Sequence, residues 1–102
     1  MELREAVCED IIKRRNIEVA PDNILIVPGG KVTMWHAILM FGGKNNEIIY
    51  PNPGFPIYES VINYTGAKAV PMILEDKTDF NVDIEKLKSL INKNTSLIIL
   101  NS

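Results

Sequence analysis

Two stretches of this sequence carry residue types whose spacing could do chemistry. In Ile24-Leu25-Ile26-Val27-Pro28-Gly29-Gly30-Lys31 an apolar run meets two glycines and a lysine, and Val32, Trp35, Ile38 and Leu39 then recur at helical spacing. Strand, glycine turn and helix in that order describe an anion site. Glycines let the backbone come close, the first helical N–H groups point outward, and Lys31 adds a positive charge. Such a turn suits a phosphate. It is not a Walker loop, because Leu25 stands where the first glycine belongs and Val32 where serine or threonine follows the lysine, nor is it a dinucleotide fingerprint. A tight turn with a solvated lysine explains the same residues. The second stretch, Pro51-Asn52-Pro53-Gly54-Phe55-Pro56, holds Phe55 on a stiff loop where its face could stack on a planar ring. A phenylalanine beside an apolar helix also packs in a core. What favours a ligand is the pairing, since one molecule with a phosphate and an aromatic ring would use both loops.

The other chemistry-bearing side chains form no second constellation. His36 stands mid-helix between Trp35 and Ala37 with no cysteine or second histidine nearby, so it is expected to be packed or half-exposed and has no assigned role. Cys8 is the single cysteine; it cannot form an internal disulfide, and one Cys with one His cannot make a zinc site. Its place one position from an apolar stripe predicts inert burial. Glu75, Asp76 and Asp79 are expected to form a solvated turn without a partner suited to acid–base work. No catalytic residue and no metal ligand is assigned.

Alternating elements must position the two loops. Leu3, Val7 and Ile11, four apart, predict a helix over residues 3–15, and Pro21-Asp22-Asn23 ends that region. Ile24 to Val27 reads as a strand buried on both faces. A helix over 31–41 stops at Gly42-Gly43, and Glu47 to Tyr50 forms a second strand. The three prolines of 51–56 exclude helix and central strand. Ile57, Val61, Ile62 and Tyr64 mark a third helix closed by Gly66. The strand over 67–74 contains Pro71, which suggests a sheet edge or strand end. Asp83 caps a helix striped by Ile84, Leu87, Leu90 and Ile91, and Leu97 to Leu100 is the fourth strand. The order predicts an α/β fold of three layers, a mostly parallel sheet with helices on both faces, whose ligands bind beyond the carboxyl ends of the strands.

Composition agrees with a single domain over residues 1–102: 46% hydrophobic, 24% charged, net charge -2. That balance excludes disorder. Met34 to Phe41, the longest apolar run, is far short of the ~20 residues a bilayer needs, so no membrane partner is expected. The opening Met-Glu-Leu-Arg-Glu puts acid where a signal peptide has base, which predicts a cytoplasmic protein. Eleven basic against thirteen acidic residues, with Lys13-Arg14-Arg15 the only basic run, leave no footprint for nucleic acid. That run suits the last turn of a helix. A domain seldom stops on the last residue of a buried strand, so the chain is expected to be truncated at Ser102.

At its loops the sequence resembles the class I/II aminotransferases, the pyridoxal-phosphate enzymes of fold type I, over essentially its whole length. Leu3-Arg4-Glu5-Ala6-Val7 is similar to the family's "LREAI" helix start, and ILIVPGGK at 24–31 to its strand and phosphate-cradling "GGK" turn. EIIYPNPGFPIY at 47–58 is similar to its "P-x-aromatic-x-x-Y" cofactor loop, and LIILNS at 97–102 to the run before "P-x-NPTG". The wording around PGFPIYES looks most like the aspartate-type branch.

The resemblance implies that Gly29, Gly30 and Lys31 hold the phosphate of pyridoxal 5'-phosphate and that Phe55 stacks on its pyridine ring. Phe keeps the π-face of the Trp or Tyr found in many members but lacks their hydrogen-bond donor. It also implies that the Schiff-base lysine, the acidic partner of the pyridinium and the arginine for the substrate carboxylate lie downstream, since the lysines here match no Schiff-base motif. The chain is then the N-terminal half of a cofactor-binding large domain, truncated at both ends, inactive alone, and part of an enzyme acting on amino-acid and 2-oxo-acid substrates. The parent sheet would separate strand 24–27 from the other three by strands supplied later. Unfilled, that gap predicts a rearranged sheet or association with another copy, a homo-oligomer. A fold-type I lyase or synthase shares both loops and stays open as an alternative, as does a small non-catalytic module that binds phosphorylated ligands.

Overall fold

A computed structural model describes residues 2–76, 79 and 81–101. Met1 of the opening run and Ser102 of the LIILNS stretch lie outside them. The elements in chain order are α1 (Glu2–Arg15), a 3-10 turn (Pro21–Asn23), α2 (Gly30–Phe41), β1 (Glu47–Asn52), α3 (Ile57–Thr65), β2 (Lys68–Ile73), α4 (Ile84–Leu90) and β3 (Thr95–Ile98). The chain divides into two units, Met1–Val32 and Thr33–Ser102.

In the second unit β1 lies between β2 and β3, and both pairings are parallel. Side chains alternate across the strands, and the register aligns Ile48 with Ala69 on one side and Leu97 on the other. That face builds the core: Ile48 and Tyr50 of β1 cluster with Ile38 of α2 and with Tyr58, Val61 and Ile62 of α3. Ile49 and Met72, which point to the opposite face, are also fully buried, and α4 packs beside β2. The fold is therefore mixed α/β with a parallel sheet, as the alternation of elements predicts.

Local chemistry explains most boundaries. Asp83 accepts hydrogen bonds from the Glu85 and Lys86 N–H groups at 3.0 and 3.2 Å, capping α4, a contact whose kind is worth about 1 kcal/mol. Gly66 ends α3 at φ +85°, its N–H donating to Asn63 O; the left-handed conformation is open to glycine at little cost. The last carbonyls of α2, orphaned by the helix geometry, receive Asn46 Nδ2 at Phe41 O and Gly42 O and the Ser96 hydroxyl at Phe41 O. Lys13, Arg14 and Arg15 occupy the last turn of α1, where Arg14 pairs with Asp10 at 2.7 Å.

Pro71 sits in edge strand β2, as its missing N–H requires. Lys68 N donates to Asn46 O and Leu74 N to Asn52 O, so by alternation the odd positions of β2 face the open side. Pro51 corrects the expectation that 51–56 is wholly loop. It is buried in β1, the central strand, opposite Met72. Glu47 N donates toward β3 at Asn94 O and Ile99 N returns to Ile49 O. By the same alternation, the donor Pro51 lacks would face β3 just beyond the last paired residue, Ile98. Proline is tolerated because the ladder stops there. β3 also starts two residues before the predicted strand, at Thr95.

Two further expectations are corrected. Residues 24–27 are no strand: among the described residues Leu25, Ile26 and Val27 have no backbone N–H partner, and Leu25 is 76% exposed. An apolar run of this kind needs a hydrogen-bonded strand beside it, and the described residues supply none. The helix stripes also rotate. In α1 Leu3 is 61% exposed while Cys8 is buried, so the inner face runs through Arg4, Val7, Cys8 and Ile11. In α2 Ile38 is buried and Met34 packs against the core, whereas Trp35 and Leu39 are exposed. Trp35 stacks on Tyr64 instead, ring centroids 5.8 Å apart. In α4 Ile84 is exposed, and Ile91 is the exposed C-cap rather than part of the stripe.

One acid at the start of the sheet ties three elements together. The Glu47 carboxylate accepts a hydrogen bond from Asn92 Nδ2 and pairs with Lys68 Nζ at 3.1 Å. The Asn92 hydrogen bond first, then Lys68, hold its pKa below the usual 4.5. A depressed carboxylate contributes stability above the unfolded pKa that is lost as pH falls through the folded one. Glu47→Gln is therefore expected to melt below the native chain at pH 7, with the gap closing as pH falls below 4.5. Paired thermal melts at pH 7 and pH 3 check this; a gap that persists or widens in acid contradicts it.

Candidate functional site

The first candidate loop is a tight turn that opens directly into a helix. Gly29 N donates to Val27 O at 2.9 Å, Gly29 takes φ +96°, and α2 begins at Gly30. A left-handed residue there needs glycine. A Cβ built on Gly29 or Gly30 would meet nothing within 4 Å, so the outer side of the turn is open. The first N–H groups of α2 have no partner within the helix, and they carry the positive end of its dipole. Lys31 is exposed in that first turn. Gly29, Gly30 and Lys31 thus come together as an unobstructed donor cluster with one cation, which is the chemistry an anionic oxygen group needs.

The second candidate loop lies in the other unit. β1 ends at Asn52, the Asn52–Pro53 peptide is cis, and α3 begins at Ile57. Phe55 is 47% exposed, so it is neither core nor free. Its ring meets Tyr58 in a T-shaped contact with centroids 5.8 Å apart and planes at 77°. Tyr58 is 1% exposed and lies 6.4 Å from Tyr50. Burial pushes the phenol pKa of both tyrosines above 10.0, which keeps them neutral at ordinary pH. Tyr58 stands three residues after Phe55, at the closing tyrosine of the P-x-aromatic-x-x-Y stretch.

The remaining candidates resolve individually. Cys8 is buried and unpaired. His36 is exposed, beyond the half-exposure expected of it. Glu75 is not a solvated acid without a partner, because Lys86 Nζ binds it at 3.0 Å; Asp76 and Asp79 are exposed. Among the described residues no group of three or more His, Cys, Asp or Glu could hold a metal ion, and no helix is long and apolar enough to cross a membrane. A cleft of about 400 Å³ in the first unit is lined by Arg4, Asp22, Asn23, Ile24, Leu25 and Ile26. There Arg4 pairs with Asp22 at 3.6 Å, and its Nε is buried with no hydrogen-bond partner among the described residues.

Comparison with known proteins covers the whole chain. The family model described as "Aminotransferase class I and II" matches residues 1–102. A Methanocaldococcus jannaschii protein named "Probable aspartate aminotransferase" is 34% identical over 101 residues, covering 99% of this chain and 26% of the relative. The "(5-formylfuran-3-yl)methyl phosphate transaminase" of the same organism is 31% identical over 102 residues, covering 100% of this chain and 25% of the relative. The crystal structure of the aspartate aminotransferase from Rhizobium meliloti superposes with a TM-score of 0.87 at 25% identity, covering 99% of this chain and 25% of that one. The chain spans about a quarter of the length of the curated relatives it matches.

Proposed function

The chain belongs to the aminotransferase class I and II family, and from that premise we propose that it is the part of a pyridoxal-phosphate-dependent aminotransferase that grips the cofactor's phosphate and covers its ring. The parent enzyme would move an amino group between an L-amino acid, of the aspartate type, and a 2-oxo acid. The observation that carries the reading is the Gly29-Gly30-Lys31 turn at the start of α2, open on its outer side.

The residues fit the group. Without a Cβ at Gly29 and Gly30 the phosphate oxygens can reach the first N–H groups of α2, and the Lys31 ammonium neutralises part of the charge. Phe55 offers a π-face that restrains a planar ring and keeps water from it. When bound, the cofactor supplies an electron sink for the carbanion developed at the substrate α-carbon. No residue of this chain is assigned a proton transfer, so no turnover is expected from it by itself. Association with a second copy belongs to the same reading, supported by the exposed apolar side chains of Leu25 and Ile26, as does a cytoplasmic location.

The test is calorimetric titration of the 102-residue chain with pyridoxine 5'-phosphate, which lacks the aldehyde and so cannot label surface lysines. Saturable binding competed by inorganic phosphate is expected, weakened about tenfold in Lys31→Ala, the loss of one charge-assisted contact of about 1.5 kcal/mol. Binding that phosphate does not compete, or that Lys31→Ala leaves intact, overturns the assignment.

A further inference from the structure

We propose that Tyr58 is a positioning residue: its buried ring fixes the orientation in which Phe55 presents its face to a planar ligand. This deepens the functional reading above and rests on it. A half-exposed phenylalanine on a loop would otherwise exchange between rotamers, and each alternative would have to be abandoned when a ring stacks on it.

Three contacts pin the Tyr58 ring, and through it Phe55. Tyr58 belongs to the core cluster and is fully buried, with Tyr50 at 6.4 Å and planes tilted by 52°. Gly54 lies against it: a Cβ on Gly54 would stand 3.0 and 3.2 Å from Tyr58 Cε2 and Cδ2 and 2.5 Å from Pro51 O. Only glycine lets the loop lie this close to the ring. Finally, Tyr58 N donates to Phe55 O at 3.2 Å, which closes the turn between the two residues and brings their rings into the 77° contact. Aromatic pairs of this geometry are favoured over other arrangements, enough to bias one ring orientation by about two- to tenfold. Phe55 is thus held on one side while nearly half of it remains open. The tyrosine hydroxyl plays no part, so the ring rather than the phenol is the working element.

The variants Tyr58→Phe and Tyr58→Leu of the 102-residue chain separate this role from simple packing. Phe55 ring resonances, identified in phenylalanine-labelled protein by their loss in Phe55→Leu, report its orientation without any ligand. Affinity is then measured for pyridoxine 5'-phosphate and, separately, for inorganic phosphate. In Tyr58→Phe the Phe55 resonances and both affinities are expected within about twofold of the native chain. In Tyr58→Leu the resonances move to unstructured values and pyridoxine 5'-phosphate binds about two- to tenfold more weakly, while phosphate binding at the Gly29–Lys31 turn is unchanged. Unmoved Phe55 resonances, or equal losses for the two ligands, overturn the proposal. Failure of the native chain to bind pyridoxine 5'-phosphate would instead remove the functional reading, and the ligand-free resonances would still decide whether Tyr58 orders Phe55. Should Tyr58→Leu lose its far-ultraviolet circular dichroism, Gly54→Ala, which forces the loop off the tyrosine ring, takes its place with the same expected pattern.

Discussion

Ile48→Ala is expected to lower the stability of the chain by about 2–5 kcal/mol, the range for truncating a buried isoleucine. Ile48 has no exposed surface and stands in the central strand, with Ile38, Val61 and Ile62 in the same cluster. The upper part of the range applies because the site cannot collapse. Its cross-strand neighbours are Ala69, too small to reach into the space, and Leu97, already packed against the core. A domain of this size has a total stability of only about 5–15 kcal/mol, so this one change removes a large share. Urea denaturation would show the midpoint falling with an unchanged slope. Ile84→Ala provides the contrast: that residue is 55% exposed, and its midpoint should barely move. A loss below about 1 kcal/mol for Ile48→Ala would mean that the sheet relaxes around the gap.

Gly42→Ala is expected to cost about 1–3 kcal/mol or somewhat more, by overpacking rather than by lost burial. The added methyl would stand 2.6 Å from Ile38 O and would overlap Thr65 Oγ1. Neither neighbour is free to give. Ile38 O accepts the Gly42 N–H at 2.7 Å. Thr65 Oγ1 donates to Ile62 O at 2.7 Å and accepts from Ala67 N at 3.3 Å. Backbone has to shift, and with it the junction between α2 and β1. Gly42→Ala combined with Thr65→Ala removes the collision with Oγ1 and leaves those with Thr65 Cβ at 2.7 Å and Ile38 O at 2.6 Å, so the double variant should recover part of the loss and be more stable than the sum of the single losses predicts. Strict additivity in denaturant titrations would show that the conflict is not with the Thr65 hydroxyl.

The elements legible in the sequence share a property: each is decided by atoms within a few residues. Asp83 caps α4 because its carboxylate reaches N–H groups two and three positions on. Gly66 stops α3 because left-handed backbone at φ +85° is costly for a residue with a Cβ, and Pro71 marks an edge because it cannot donate. The candidate loops follow the same rule, since a Gly-Gly-Lys turn opening a helix is a local object. Family membership was legible too, through the spacing of short motifs.

Sheet membership and burial obey a different rule, and the sequence misleads where they matter. Ile24 to Val27 looks like a central strand, yet a strand exists only where another backbone supplies partners for its N–H and C=O groups. Pro51 looks excluded from a central strand, yet it fits because the ladder to β3 has ended where its donor would be needed. The sequence by itself determined the four helices and three of the four expected strands in their order, the caps at Asp83 and Gly66, the parallel α/β class and the positions of the two candidate loops. Only the tertiary structure decided which apolar run is left without a ladder, which face of each helix is buried, and that Tyr58 braces Phe55. Those outcomes depend on hydrogen-bond partners and packing neighbours remote along the chain or turned by the fold, which local patterns do not encode.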